Sequence, residues 1–172
     1  MLNEFNRIQV QLSRQLPGPE AQMKMAPVFS GDFNFRLPQL KAAVLILLFS
    51  QGDRLFTILI KRTEYEGHHG GQISLPGGKY EPEDFDLSAT SLRETAEETG
   101  INASEITMIG RLTTLEIPSS SFEVHPFVGY LEKKTIFSPD PKEVEYLIET
   151  DLTILRNERI KKKDHDYWRT CH

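Results

Sequence analysis

LPGGKYEPEDFDLSATSLRETAEETGI occupies residues 75–101 and decides how the rest of the chain is read. Gly77-Gly78 leads through an acidic loop into a run, Arg93-Glu94-Thr95-Ala96-Glu97-Glu98-Thr99-Gly100, with helical spacing. At about 100° per residue, Phe85, Ala89, Leu92, Ala96 and Thr99 share one face, and Glu94, Glu97 and Glu98 share the opposite one. Glu94 and Glu98 are like charges four residues apart, which costs a few tenths of a kcal/mol, roughly, on an isolated helix. A divalent cation between them converts that repulsion into coordination, because carboxylate oxygens suit Mg²⁺ and Mn²⁺. By itself such a helix face is expected to be merely solvated. Gly77 and Gly78 change the balance, because a backbone without Cβ can approach a cation or a phosphate closely.

These residues resemble the Nudix box, in which Gly, five residues, Glu and seven residues precede Arg-Glu-apolar-x-Glu-Glu-x-Gly-apolar. Gly78, Arg93, Glu94, Glu97, Glu98, Gly100 and Ile101 match it, and Glu81 stands where many members carry an extra acid. There are three departures. Asp84 replaces the first Glu, eight residues rather than seven separate it from Arg93, and Thr95 replaces an apolar residue. The extra residue falls before or at the helix start, where a loop can absorb it. The resemblance implies a Nudix fold, a mixed β-sheet sandwiched between helices, and a pyrophosphohydrolase needing Mg²⁺ or Mn²⁺. It implies that Glu94 and Glu98, with Glu97 and the Gly78 carbonyl, hold the metal. Arg93 would orient the carboxylates, and Glu97 or a later acid, Glu143 or Glu145, would serve as general base.

Upstream, Ile58–Ser74 resembles the signature of the coenzyme A pyrophosphatase branch of the family. Arg62, Gly71, Pro76, Gly77 and Gly78 match at the expected spacing, while Gly67 occupies a second Arg position and Ile60 a Thr position. Coenzyme A carries a diphosphate and a further phosphate, so its site needs fixed cations and several donors. Arg62 offers a bidentate fork. His68, His69 and Gln72 add donors in a Gly-flanked loop, and Gly77 brings backbone close to phosphate. A zinc site at His68 and His69 is disfavoured, since the two are adjacent and lack Cys partners. The expected reaction is hydrolysis of coenzyme A or an acyl derivative to 3′,5′-ADP and 4′-phosphopantetheine. ADP-ribose, NADH or a dinucleotide polyphosphate is the alternative substrate, and a non-catalytic ligand-binding module the alternative of another class.

At 172 residues the chain suits one domain. Its net charge of −5 argues against a nucleic-acid surface, and Lys161-Lys162-Lys163 reads as a solvated tail. The single cysteine, Cys171, permits no internal disulfide and fits a reducing compartment. No signal-peptide core is evident, and the longest apolar run, Ala42–Phe49, is too short to span a bilayer. A cytoplasmic protein without membrane or nucleic-acid partners is expected, acting on a small nucleoside diphosphate substrate.

Phe5, Ile8, Leu12 and Leu16 predict an amphipathic helix ending at Pro17-Gly18-Pro19. Residues 1–37 then form a helical extension with a connector, and 38–172 the Nudix domain, its resemblance clear over 38–155. Leu40–Phe49 and Phe56–Lys61 predict a hairpin across Ser50-Gln51-Gly52-Asp53, Ile106–Leu112 and Glu123–Leu131 further strands, and Lys142–Glu149 a short helix. After Leu155 no closing amphipathic helix is visible. An apparently short C-terminus would leave one sheet face apolar and open, a plausible homodimer contact.

Overall fold

The computed structural model describes residues 2–25, 40–64, 70–117 and 120–155. In chain order the elements are α1 (Leu2–Leu12), α2 (Pro19–Met25), β1 (Leu40–Gln51), β2 (Arg54–Arg62), β3 (Ile73–Ser74) and β4 (Gly77–Lys79). They continue as α3 (Leu87–Thr99), a 3-10 turn (Ala103–Glu105), β5 (Ile106–Arg111), β6 (Leu115–Ile117), β7 (Phe122–Leu131), β8 (Val144–Asp151) and α4 (Leu152–Leu155).

The long apolar run of β1 becomes the centre of a mixed sheet. It pairs antiparallel with β2 and β4 and parallel with β7, which in turn pairs with β5 and β6. The β1–β2 hairpin turns at Gly52, whose φ of 60° lies in the left-handed region that glycine enters without strain. Alternation along β1 explains why it is apolar throughout. Leu45, Leu47 and Phe49 join a core with Ile58, Ile101 and Leu92 on the α3 side. Ile46 and Leu48 face the other side, against Phe5, Ile8 and Leu12 of α1. A strand covered on both faces reads as a continuous hydrophobic run.

That second face corrects one expectation. The sheet is not left open there, because the N-terminal helix lies on it, with Leu152 alongside. The Phe5 ring packs tilted against Tyr130 with 4.3 Å between centroids, and Leu12 sits where Gly110 has no Cβ. Burying these three half-covered side chains contributes roughly 3 kcal/mol. The premise for a dimer contact on this face is thereby lost. The tail beyond Leu155, with Lys161-Lys162-Lys163 and Cys171, lies outside the described residues.

Two further corrections are local. Pro19–Met25, expected as connector, is a short helix whose Gln22 amide donates to the Thr113 and Thr114 carbonyls. Lys142–Glu149, expected as a short helix, instead runs into β8, which pairs antiparallel with β2. The strand pairs regularly with β2 from Tyr146 to Asp151, and a register shift at its start sets Val144 against Arg62. Among the described residues no helix is long and apolar enough to cross a membrane.

Candidate active site

Helix α3 starts where the Asp86 carboxylate accepts from the Ala89 N–H at 2.8 Å, and it stops at Gly100, φ 73°, whose N–H reaches the Ala96 carbonyl. Its buried face is not the expected apolar stripe. Phe85 precedes the helix and is 94% exposed, while Thr90, Ser91, Thr95, Glu98 and Thr99 are buried. The hydroxyls manage this by bonding within their own helix: Thr95 donates to the Ser91 carbonyl at 2.7 Å and Thr99 to the Thr95 carbonyl at 2.6 Å. Thr95 therefore fills the apolar position of the box without an unsatisfied group.

Glu98 overturns the idea of a wholly solvated acidic face. Its side chain is fully buried, with Oε1 accepting from Arg62 Nη1 at 2.9 Å and Oε2 from the Gly77 N–H at 2.8 Å. Burial raises its pKa to about 7; the Gly77 N–H and Arg62 oppose the shift, and the charges of Glu94 and Glu143 add to it. Glu94 is also raised, first by burial, with Glu97 and Glu143 adding repulsion against the pull of Arg93. Its carboxylate lies over the Gly78 backbone, so that a Cβ at residue 78 would land on it. Any side chain there would push Glu94 away, which is the physical reason the box needs glycine at this place.

Arg93 ties the cluster together. Its Nε donates to Asp84 Oδ1 at 2.9 Å and its Nη2 to Asp84 Oδ2 at 3.1 Å, while Nη1 reaches Glu94 Oε1 at 3.0 Å and Glu97 Oε2 at 3.1 Å. Asp84 is buried and also accepts from the Glu81 N–H and the Thr90 hydroxyl. Its hydrogen bonds to Arg93 hold its carboxyl well below the usual carboxylate range. Thus the shorter acid and the extra residue are compatible: the loop closes onto Arg93 and the helix register is untouched. Asp84 was visible in the sequence only as a departure, and its clamp on Arg93 is a role that spacing alone does not disclose. Replacing it should be costly. Asp84→Asn is expected to lower stability by about 2–3 kcal/mol and activity by roughly 10- to 100-fold, as for a lost partner behind metal ligands. Thermal unfolding and kcat/KM measured on the same preparation check both; an unchanged kcat/KM would separate the clamp from activity.

The remaining expected residues divide. Glu143 presents its charge to Glu94 and Glu98, whereas Glu145 lies 4.0 Å from Lys61. The Gln72 carbonyl accepts from the Arg62 N–H at 3.0 Å, which anchors the loop to the strand end. His68, His69 and Gly67 lie outside the described residues.

These side chains suit a divalent cation by charge. Among the described residues Glu94, Glu97, Glu98, Glu143 and Asp84 are offset by Arg62 and Arg93, leaving a net negative cluster with two carboxylates against a bare glycine backbone. Among the described residues no three acidic or histidine side chains are already closed into a cage. The reason is visible in the pairing, for Glu94, Glu97 and Glu98 are each turned towards a guanidinium.

A family model described as the NUDIX domain matches residues 39–168. An "Uncharacterized Nudix hydrolase NudL" of Yersinia pestis (strain Pestoides F) is 35% identical over 152 residues, covering 88% of this chain and 70% of its own. Among solved structures, a C. elegans Ap4A hydrolase binary complex superposes with a TM-score of 0.56 at 19% identity, over 67% of this chain and 82% of its own. The NUDIX domain of Shewanella oneidensis NrtR complexed with ADP ribose gives 0.53 at 19% identity, over 69% and 76%. At such identities the two structures speak for the fold alone.

Proposed function

The chain belongs to the Nudix family and is a pyrophosphohydrolase, and from that premise we propose that it hydrolyses the diphosphate of coenzyme A or an acyl-coenzyme A. One observation carries the reading. Arg62, from the upstream motif, lies 2.9 Å from Glu98 of the box, so the two motifs meet at a single carboxylate. A guanidinium at the edge of the acidic cluster would meet phosphate oxygens with the N–H donors that Glu98 does not take. Gln72, with His68 and His69 as the further donors expected from the sequence, would contribute hydrogen bonds to the substrate's phosphates.

Glu94 and Glu98, with Glu97 and the Gly78 carbonyl, would hold Mg²⁺ or Mn²⁺. Bound there, the ion supplies neutralisation of the diphosphate charge and acidification of water. Arg93, fixed by Asp84, sets the directions of Glu94 and Glu97. Gly77 fixes one oxygen of Glu98 through its N–H, and its missing Cβ leaves room for the β1 backbone at Ala43 and Val44. Glu143 makes no ion pair among the described residues and is the leading acceptor for a proton from the attacking water, with Glu97 the other. Glu145 is the weaker choice because of Lys61.

The second reading, another nucleoside diphosphate derivative, is kept by Gly67, which stands where the branch signature has its second Arg. Parallel hydrolysis of coenzyme A, ADP-ribose, NADH and a dinucleotide polyphosphate with Mg²⁺ or Mn²⁺, reading products by mass, decides between them. Coenzyme A should give 3′,5′-ADP and 4′-phosphopantetheine with a kcat/KM at least tenfold above the others. A preference for ADP-ribose or NADH of that size would replace the coenzyme A assignment.

A further inference from the structure

A histidine and a glutamate that neither motif contains lie on the same sheet face as the acidic cluster. Ala43 of β1 pairs with Gly78 on one side and His125 on the other; Lys41 pairs with Glu123 in the row below. Residues paired across neighbouring strands project to one face. That face is the α3 side, because Leu45 and Phe127, two residues further on, pack into the core with Leu92. His125 is therefore about 10 Å, two strand spacings, from Gly78 and the Glu94 carboxylate over it. Only the small side chain of Ala43 stands between them in the row.

The pair is built rather than incidental. His125 Nε2 lies 2.6 Å from Glu123 Oε1, and both side chains are mostly covered, with 16% and 29% of their surface exposed. An ionised carboxylate only accepts, so Nε2 carries the proton and donates it to Glu123. In the neutral imidazole Nδ1 is then the ring's acceptor. Its one neighbour is the Thr114 hydroxyl at 3.4 Å, at the long limit of a hydrogen bond. A ring fixed on one nitrogen by a carboxylate and loosely partnered on the other is an oriented acceptor.

We propose that Nδ1 of His125, oriented by Glu123, accepts a hydrogen bond from an O–H or N–H donor of the nucleoside half of the substrate, lying across both β1 and β7, because Thr114 and the Nδ1 it touches stand on the β6 side of β7. This rests on the reading of Glu94, Glu98 and Gly78 as the diphosphate site. The distance suits it, because an acceptor just beyond the second strand, somewhat over ~10 Å from Gly78, is within the reach of a nucleoside from its own diphosphate. Thr114 holds the acceptor until a ligand group replaces it.

The test uses the full chain. His125→Ala is expected to raise KM for a nucleoside diphosphate substrate about tenfold, the loss of one hydrogen bond, and to change kcat far less. In the unmodified chain without divalent metal, the His125 ring resonance, identified by its absence from His125→Ala, should shift on adding adenosine diphosphate but not inorganic pyrophosphate. A shift with ribose 5-phosphate as well assigns a sugar hydroxyl as the donor, and one with adenosine diphosphate alone assigns the base amine. No shift with adenosine diphosphate, an equal shift with pyrophosphate, or KM within twofold in His125→Ala would overturn the subsite. If Glu98→Gln is inactive at the same time, the subsite alone has failed. If Glu98→Gln retains full turnover, the diphosphate site from which the subsite is measured has failed with it.

Discussion

Glu98→Gln should lose roughly a thousandfold in kcat/KM while remaining folded. The loss follows from position. Glu98 is the one box carboxylate wholly removed from water, and it joins the glycine turn, the helix and the upstream motif through Gly77 and Arg62. Gln keeps the shape and an amide oxygen, which can still accept from the Gly77 N–H. Its amide nitrogen then faces the Arg62 guanidinium, donor against donor, an arrangement costing about 1–3 kcal/mol. Against that, the substitution removes a desolvated charge whose burial is itself unfavourable. The two effects oppose each other, so the metal-free thermal midpoint should move by only a few degrees. Mg²⁺ affinity measured by calorimetry should fall with the activity. Unchanged metal-dependent turnover in a folded Glu98→Gln protein would remove Glu98 from the site.

Much of this site was legible because it is local. The register Gly78–Arg93–Glu94–Glu97–Glu98–Gly100 lies in one short stretch, and its meaning survived an inserted residue because the insertion fell in a loop. The hairpin of β1 and β2 was legible for a similar reason, two apolar runs around a turn. What escaped depends on partners far away in sequence. Helical periodicity ranks side chains by polarity, so it turned Glu98 outward and Phe85 inward. The fold reverses both, since Arg62, 36 residues before Glu98, and Gly77, 21 before it, supply its partners. Ser91 and Thr95 escaped for a subtler reason, since a hydroxyl bonded to its own helix buries almost as an apolar group, and Thr90 because its hydroxyl is satisfied by the Asp84 carboxylate. The cover on the second sheet face was sought at the C-terminal end and comes from α1 at the other. The pairing of His125 with Glu123 had a weak local signal, two residues apart on a strand. Only the parallel register with β1 says which face they share with Glu94.

The pH dependence of metal binding is the second large effect, and its sign follows from Glu98. In the metal-free chain burial raises this carboxyl from an ordinary 4.5 to about 7, with Glu94 and Glu143 adding repulsion that Gly77 and Arg62 only partly offset. Between those two values the folded chain binds more protons than the unfolded one. Metal-free stability therefore falls as pH rises through this window, by up to ~3 kcal/mol, and levels off above it. A cation reverses the trend, because it requires the ionised carboxylate. Mg²⁺ or Mn²⁺ affinity should weaken about tenfold for each pH unit below 7, roughly a hundredfold by pH 5, and change little above 8. At pH 6 binding should release close to one proton, from Glu98. Calorimetric titration in buffers of different ionisation enthalpy counts that proton directly. Glu98→Gln should abolish most of the release even where some affinity survives. Metal affinity that is flat from pH 6 to 8, with no proton released, would mean that the ion is held by groups already ionised, leaving Glu98 to its partners Arg62 and Gly77.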